Sequence, residues 1–210
     1  MRGFVSVAEA ARELAAGRFV IIADDEGREN EGDLVVAAQF ADAAAINFCA
    51  VHGRGLVCCA LAPDIVARMG LRMMVPDREN RSGFGTGFTV SVEAREGVTT
   101  GISAADRART VAVLIDPASE PADLVSPGHM FPLRAHPGGV LSRGGQTEAS
   151  VDLARLAGLR PGAVICEIMN DDGTMARRPD FERFSERHDI PITTTEAIRE
   201  HLSGVAGAVA

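Results

Sequence analysis

Residues 24–33, DDEGRENEGD, place six carboxylates and one arginine in ten positions, between the apolar runs RFVIIA and LVVAA. Short apolar runs bounded by charge and glycine read as buried strands, which makes the acidic stretch a crossing between two strands of a sheet. Acidic runs are most often solvated turns. Three features point elsewhere here. The run stands at a strand end, where α/β sheets present their ligands. Gly27 and Gly32 permit tight backbone paths. Arg28 stands beside Glu29, a pairing suited to holding an anionic substrate next to a metal. Crowded carboxylates repel unless a proton or cation intervenes, and Mg²⁺ takes one or two carboxylates together with water and substrate oxygens. That chemistry suits a hydroxyl-rich or phosphorylated ligand.

Outward from this stretch, Ser6 and Glu9 form an S-x-x-E box ahead of an Ala-rich segment, predicting a helix over residues 7–16. DLVVAA and GLVCCAL read as strands, with a helix over residues 43–52 between them, stopped by Gly53. RMMVPDRENRSGFGTGFT, residues 72–89, carries the Pro, Asn and Gly of a long functional or mobile loop. FTVSVEA alternates as a strand does, and Ser103 with Asp106 caps a further helix. HMFPLRA and AVICEIM are strand-like, TEASVDLARLAGL is helical, and FERFSERHD, PITTT and EAIREHL give helix, strand, helix. The expectation is a single compact α/β (mixed α+β) domain over residues 1–204, a mixed sheet flanked by helices, with a flexible tail over 205–210.

Composition narrows the function. The 210 residues have 46% hydrophobic and 24% charged content, ordinary for a globular chain able to bury a core. A net charge of −8 argues against nucleic acid, which requires clustered Lys and Arg. The four cysteines lack C-x-x-C spacing, and the start MRGFVSVAEAARE carries no apolar signal core, so a reducing cytoplasm is expected. No apolar run approaches the roughly 20 residues of a membrane span.

Two further constellations carry chemistry. LSRGGQTEAS, residues 141–150, sets Arg143, Gly144 and Gly145 before Thr147, expected to cap the next helix; a glycine turn, free N–H groups and a guanidinium suit an anion, although an ordinary capped helix reads equally well. Glu167 interrupts the apolar AVICEIM, a costly burial without a partner or a task. His129 opens an apolar strand after a Pro-Gly turn. His52 reads as a C-terminal helix cap, and His136, His188 and His201 as surface residues.

In order, DDEGRENEGD, GVTTGISAADR, PGHMFPLRA, RGGQTEASVDLARLAG and CEIMNDDGTMAR resemble the motifs of the 3,4-dihydroxy-2-butanone 4-phosphate synthase family of riboflavin biosynthesis, from about Ser6 to Leu202. The resemblance implies that family's fold in its stand-alone form and a homodimer with active sites at the subunit interface. It also implies conversion of D-ribulose 5-phosphate to 3,4-dihydroxy-2-butanone 4-phosphate plus formate, dependent on Mg²⁺ or Mn²⁺. Carried over by residue, it makes Glu29 a metal ligand, Arg28 a substrate contact and Asp33 a partner of substrate hydroxyls, with Glu31 completing the acidic loop. Arg143, Gly144, Gly145 and Thr147 match the phosphate-holding turn. His129 and Glu167 stand among the catalytic groups, with Asp33 and Glu31.

The chain departs from the family at two places. The turn normally reads R-G-G-H-T-E-A with a metal-ligating histidine, and Gln146 stands there; its amide oxygen can coordinate Mg²⁺ but cannot exchange protons near neutral pH. VPDRENRSGFGTGF reads longer than the family's usual loop and brings in Arg78 and Arg81. Besides the synthase, these departures leave open a diverted reaction on a related sugar phosphate, or a non-catalytic binding protein on the same fold.

Overall fold

A computed structural model describes residues 3–25 and 27–208, with side chains described up to residue 204. Ser6 accepts a hydrogen bond from the Glu9 N–H at 3.3 Å and opens α1 (Val7–Ala15), whose Val7, Ala10, Ala11 and Leu14 are buried. The apolar runs on either side of the acidic stretch are β1 (Val20–Ala23) and β2 (Gly32–Ala37), buried at every position. Asp42 caps α2 (Ala43–Phe48) through the Ala45 N–H at 2.8 Å. The helix expected to reach His52 instead widens into a π turn over Cys49–Gly53 and ends at Arg54, φ 69°. Then come β3 (Cys58–Leu61) and the proline-initiated α3 (Pro63–Arg68), which no periodicity had signalled.

Beyond the long loop lie β4 (Val92–Ala94), α4 (Ala104–Ile115) capped by Ser103, and β5 (Leu124–Arg134), which runs through the Pro-Gly expected to precede it. A single turn, α5 (Gly139–Ser142), leads to α6 (Gln146–Leu156), β6 (Gly162–Glu167) and α7 (Arg178–His188). The order closes with β7 (Ile192–Thr194) and α8 (Thr195–Ala208). The backbone of 205–208 thus continues α8 where a tail was expected; residues 209–210 lie outside the described residues.

The seven strands form one mixed sheet in the order β4-β5-β3-β6-β2-β1-β7, as the sequence predicted for an α/β domain. The β3–β5 and β1–β7 pairs are parallel and the others antiparallel. Side chains of residues opposite one another across a ladder share a face. The register pairs Asp33 with Glu167, Val35 with Ile165, Ile165 with Cys58, and Cys58 with Phe131, so one face carries an apolar centre that ends in two carboxylates. Helix α6 packs along β6, β3 and β1. No helix among the described residues is long and apolar enough to cross a membrane.

Candidate active site

One of the acids is consumed in shaping the loop that follows β1. Asp24 has a buried side chain whose Oδ2 accepts from Arg28 Nη1 at 2.6 Å and from the Glu29 N–H at 3.2 Å, while Oδ1 accepts from the Glu31 N–H at 2.9 Å. From the far side Arg177 Nη1 donates to the carbonyls of Glu29 and Asn30 at 2.5 and 2.8 Å. Asp24 and Arg177 thus hold residues 28–31 from opposite sides, while Asp25 and Gly27 stay exposed. Arg28 Nη1 also lies 2.9 Å from Glu29 Oε2 and donates to Gln146 Oε1 at 2.9 Å. One cationic nitrogen stands between the two side chains expected to hold a metal.

Asp33 and Glu167 are register partners at the ends of β2 and β6. Asp33 is 4% exposed and its Oδ1 has no hydrogen-bond partner. Burial first, then the neighbouring Glu167, raises the Asp33 carboxyl well above the usual range. Glu167 is raised too, chiefly by burial, against the N–H of Leu56, which donates to its Oε2 at 2.8 Å. That N–H is delivered by the π turn and the left-handed Arg54. Gly55 must be glycine there, since a Cβ would come within 2.5 Å of both Glu167 O and Oε2. Glu31 is raised by burial and by Glu29, with Arg177 opposing. Cys58, beside these groups, is a deeply buried thiol held well above its usual range.

The anion-binding side is assembled from α6 and the long loop. The expectation that Thr147 caps the helix is corrected: α6 begins at Gln146, Gly145 is the cap, and Thr147 lies inside the first turn. The early N–H groups of α6 still lack intrahelical acceptors, as at any helix start. Arg143 Nη1 pairs with the buried Glu148, Nη2 donates to Thr86 Oγ1 at 3.0 Å, and Nε donates to the Phe84 carbonyl at 3.0 Å. A Cβ on Gly145 would come within 2.5 Å of Arg143 Nη1. The Phe84 ring covers the Arg28 guanidinium at 4.8 Å, and Asp77 takes Arg134 Nη2 at 2.9 and 3.0 Å, which fastens the start of the loop to β5.

These residues converge on a cleft of about 100 Å³ lined by Arg28, Glu29, Asp33, Arg143, Gln146, Thr147 and Glu167, with Cys58, Thr86, Phe88, Leu133 and Ile165. A larger depression of about 730 Å³ lies around Phe40, with Asp42, Asp116, Arg109 and Arg160 at its wall, and none of the residues singled out in the sequence lines it. Glu31, Gly144 and Gly145 are adjacent in sequence without lining the cleft. Thr86 and Phe88 carried no signal beyond their place in a long loop.

His129 stands apart. It is not among the residues lining the cleft, and its Nδ1 lies 2.8 Å from Glu93 Oε2 on β4. Two other histidines depart from the surface or capping roles expected of them: the His52 and His188 rings meet at 4.9 Å, tilted by 52°, within a cluster that includes Phe48 and Phe184.

Residues 8–201 match the family model for 3,4-dihydroxy-2-butanone 4-phosphate synthase. Relatives of that name include one from Neisseria meningitidis, 53% identical over 94% of this chain and 54% of its own length. Another, from Pseudomonas aeruginosa, is 56% identical over 90% of this chain and 51% of its length. The chain thus spans about half the length of these two relatives, and 92% of a Klebsiella pneumoniae relative that is 50% identical over 94% of this chain. Among solved structures, a 3,4-dihydroxy-2-butanone 4-phosphate synthase in complex with two magnesium ions superposes with a TM-score of 0.93 at 38% identity, covering 97% of this chain and 99% of that one. A two-domain synthase from A. baumannii gives 0.88 at 48% identity, over 92% of this chain and 56% of that one. The chain belongs to the 3,4-dihydroxy-2-butanone 4-phosphate synthase family.

Proposed function

We propose that the chain is a lyase that converts D-ribulose 5-phosphate to 3,4-dihydroxy-2-butanone 4-phosphate and formate, with Mg²⁺ as its preferred cofactor and Mn²⁺ as a substitute. The observation that carries this reading is the cleft itself: the register-paired carboxylates Asp33 and Glu167 at one end and the Arg143 turn at the other, on a chain of this family. Among the described residues no three His, Cys or carboxylate side chains form a metal cage. The donors present are nevertheless suited to Mg²⁺, which holds few protein oxygens and keeps its waters: the Glu29 carboxylate, the Gln146 amide oxygen and the unpartnered Asp33 Oδ1. When bound, the ion would polarise the substrate carbonyl and neighbouring hydroxyls.

The protein's own groups supply the rest. Arg143, Thr147 and the first N–H groups of α6 hold the phosphate, which restricts the reacting carbons. Asp33 and Glu167 resist ionising together, so one can accept a proton while the other retains one to give. Glu31 extends the acidic group, and Arg28 exchanges its hold on Glu29 and Gln146 for the substrate. We further propose a homodimer in which half-exposed His129 reaches the cleft of the partner subunit, acting in a reducing cytoplasm that keeps the four buried thiols free.

A carbon-13 NMR time course with ribulose 5-phosphate and Mg²⁺ tests the reaction. Formate and a four-carbon ketone phosphate are expected, both abolished by EDTA. Turnover to another product, or binding without turnover, overturns the assignment.

A further inference from the structure

One residue past Glu167 the chain enters the wall of a second cavity, about 440 Å³ in volume, which shares no lining residue with the cleft. That volume suits a small organic ligand. Its walls are built in advance. The Asn170 N–H donates to the Thr174 carbonyl at 2.8 Å, and Asp172 Oδ1 accepts from the N–H and Oγ1 of Thr174 at 3.0 and 2.7 Å, so residues 170–174 close as a tight turn. Opposite, Asp180 Oδ2 takes the Arg177 N–H at 2.9 Å and fixes the start of α7. Ile168, Met169, Ala176 and Phe184 supply an apolar side.

Three guanidiniums and three carboxylates line this cavity, and the acids are already committed. Asp171 pairs with Arg54 at 2.6 Å, Asp180 pairs with Arg183 at 2.5 Å, and Asp172 is taken up by Thr174. Arg187 makes no hydrogen bond or ion pair among the described residues. It stands one turn from Arg183 on the same face of α7. Each guanidinium carries five N–H donors, and most of these fifteen or so are unused. A surplus of planar forks beside an aromatic and apolar wall suits a phosphate joined to a flat ring.

Arg54 connects this cavity to the cleft. Its backbone ends the π turn and bridges Ile168, and the next two N–H groups hold Glu167: Gly55 donates to the Glu167 carbonyl at 3.2 Å and Leu56 to Oε2 at 2.8 Å. Its side chain, in the cavity wall, donates to the Met169 carbonyl at 3.0 Å and pairs with Asp171. That pair is exposed, 41% at Arg54 and 86% at Asp171, and such pairs are weak, so an incoming phosphate can take the place of Asp171.

We propose that this cavity is an effector site for an aromatic phosphate monoester of mononucleotide size, which draws Arg54 from Asp171 and slackens the segment that holds Glu167, lowering turnover. Binding stands apart from the reaction assigned to the cleft, whereas the effect on turnover rests on that reading. The probe is adenosine 5′-monophosphate. Isothermal titration calorimetry of the whole protein with Mg²⁺ is expected to show saturable binding of the probe. Inorganic phosphate, which lacks the stacked base, should bind about tenfold more weakly. Arg187→Glu should weaken the probe about tenfold or more, the worth of one charge-assisted contact, and leave the melting temperature and ligand-free formate release unchanged. In the wild type, saturating probe should lower kcat about fivefold with an unchanged KM for ribulose 5-phosphate. No binding, or an affinity that Arg187→Glu leaves intact, overturns the site. Inhibition that raises KM alone places the probe in the cleft and also overturns it, and binding that changes neither constant overturns the effector role. Absence of formate from the wild type overturns the reaction, and the calorimetry then decides the site by itself.

Discussion

The acidic cleft and the His129–Glu93 pair prepare their groups by opposite means. In the cleft, carboxylates are buried until they resist losing their protons: Asp33 keeps an oxygen without a partner, and Glu167 is raised although Leu56 holds it. On β5, a half-exposed imidazole is left in contact with water and held 2.8 Å from Glu93 Oε2, in space that Gly101 leaves clear. Burial sets the proton affinity of a group that stays put, whereas a fixed contact sets the direction of one that must meet something outside its own sheet. On the proposed reading of His129, the chain carries two parts of a site that do not meet in one cleft.

The largest expected effect comes from the cleft. Glu167→Gln should cut formate release by roughly 10²–10⁴-fold, the range for a positioned acid or base, with little change in thermal stability. An active variant would remove the carboxylate pair from the account. Next, Gly55→Ala pushes against Glu167. It should cost about 2–3 kcal/mol, as overpacking does, and lower kcat in the stable fraction; an unchanged melt would show that the π turn can yield. Thr147→Val should raise KM for ribulose 5-phosphate about tenfold, the worth of roughly one hydrogen bond, and leave kcat near wild type; an unchanged KM would dissociate α6 from the phosphate.

Smaller effects follow from charge. Asp33 has a folded-state proton affinity above its unfolded one, so the stability it contributes is present below its ordinary carboxylate range and lost as pH rises through the raised value. In EDTA the melting temperature should therefore fall across that window, by about 2–4 °C per kcal/mol, with Mg²⁺ reversing the loss. Asp33→Asn should flatten the profile; a profile as steep as wild type would place the titration elsewhere. Gln146→His should raise synthase turnover a few-fold if the amide is a makeshift ligand, an order-of-magnitude expectation for one coordination change. A loss would mean that the site is built around the bond between the amide and Arg28.

Much of the sheet was legible because VIIA and LVVAA are continuous apolar runs, and short runs of this kind bounded by charge and glycine suit buried strands. The acidic stretch was legible as a candidate site because so much charge at a strand end needs a cation, and Arg28, Glu29 and Asp33 do line the cleft. Its internal division of labour was not: only the fold reveals that Asp24 turns inward to tie the loop. Thr147 was misread because a threonine before an apolar helical pattern looks like a cap, while the chain begins α6 one residue earlier, at Gln146. Glu93 was invisible for a different reason. Within FTVSVEA it reads as the polar member of an alternating strand, and its partner lies beyond a bulge that no local pattern encodes.

The most direct test of a divided site mixes two variants that are each inactive, Glu167→Gln and His129→Asn, allows subunits to exchange, and measures formate release. If the carboxylates come from one chain and the imidazole from its partner, each hybrid dimer carries one intact site, and random mixing returns about one quarter of wild-type activity. Activity that stays at the level of the separate variants, in a sample where native mass spectrometry shows hybrid dimers, contradicts the shared site.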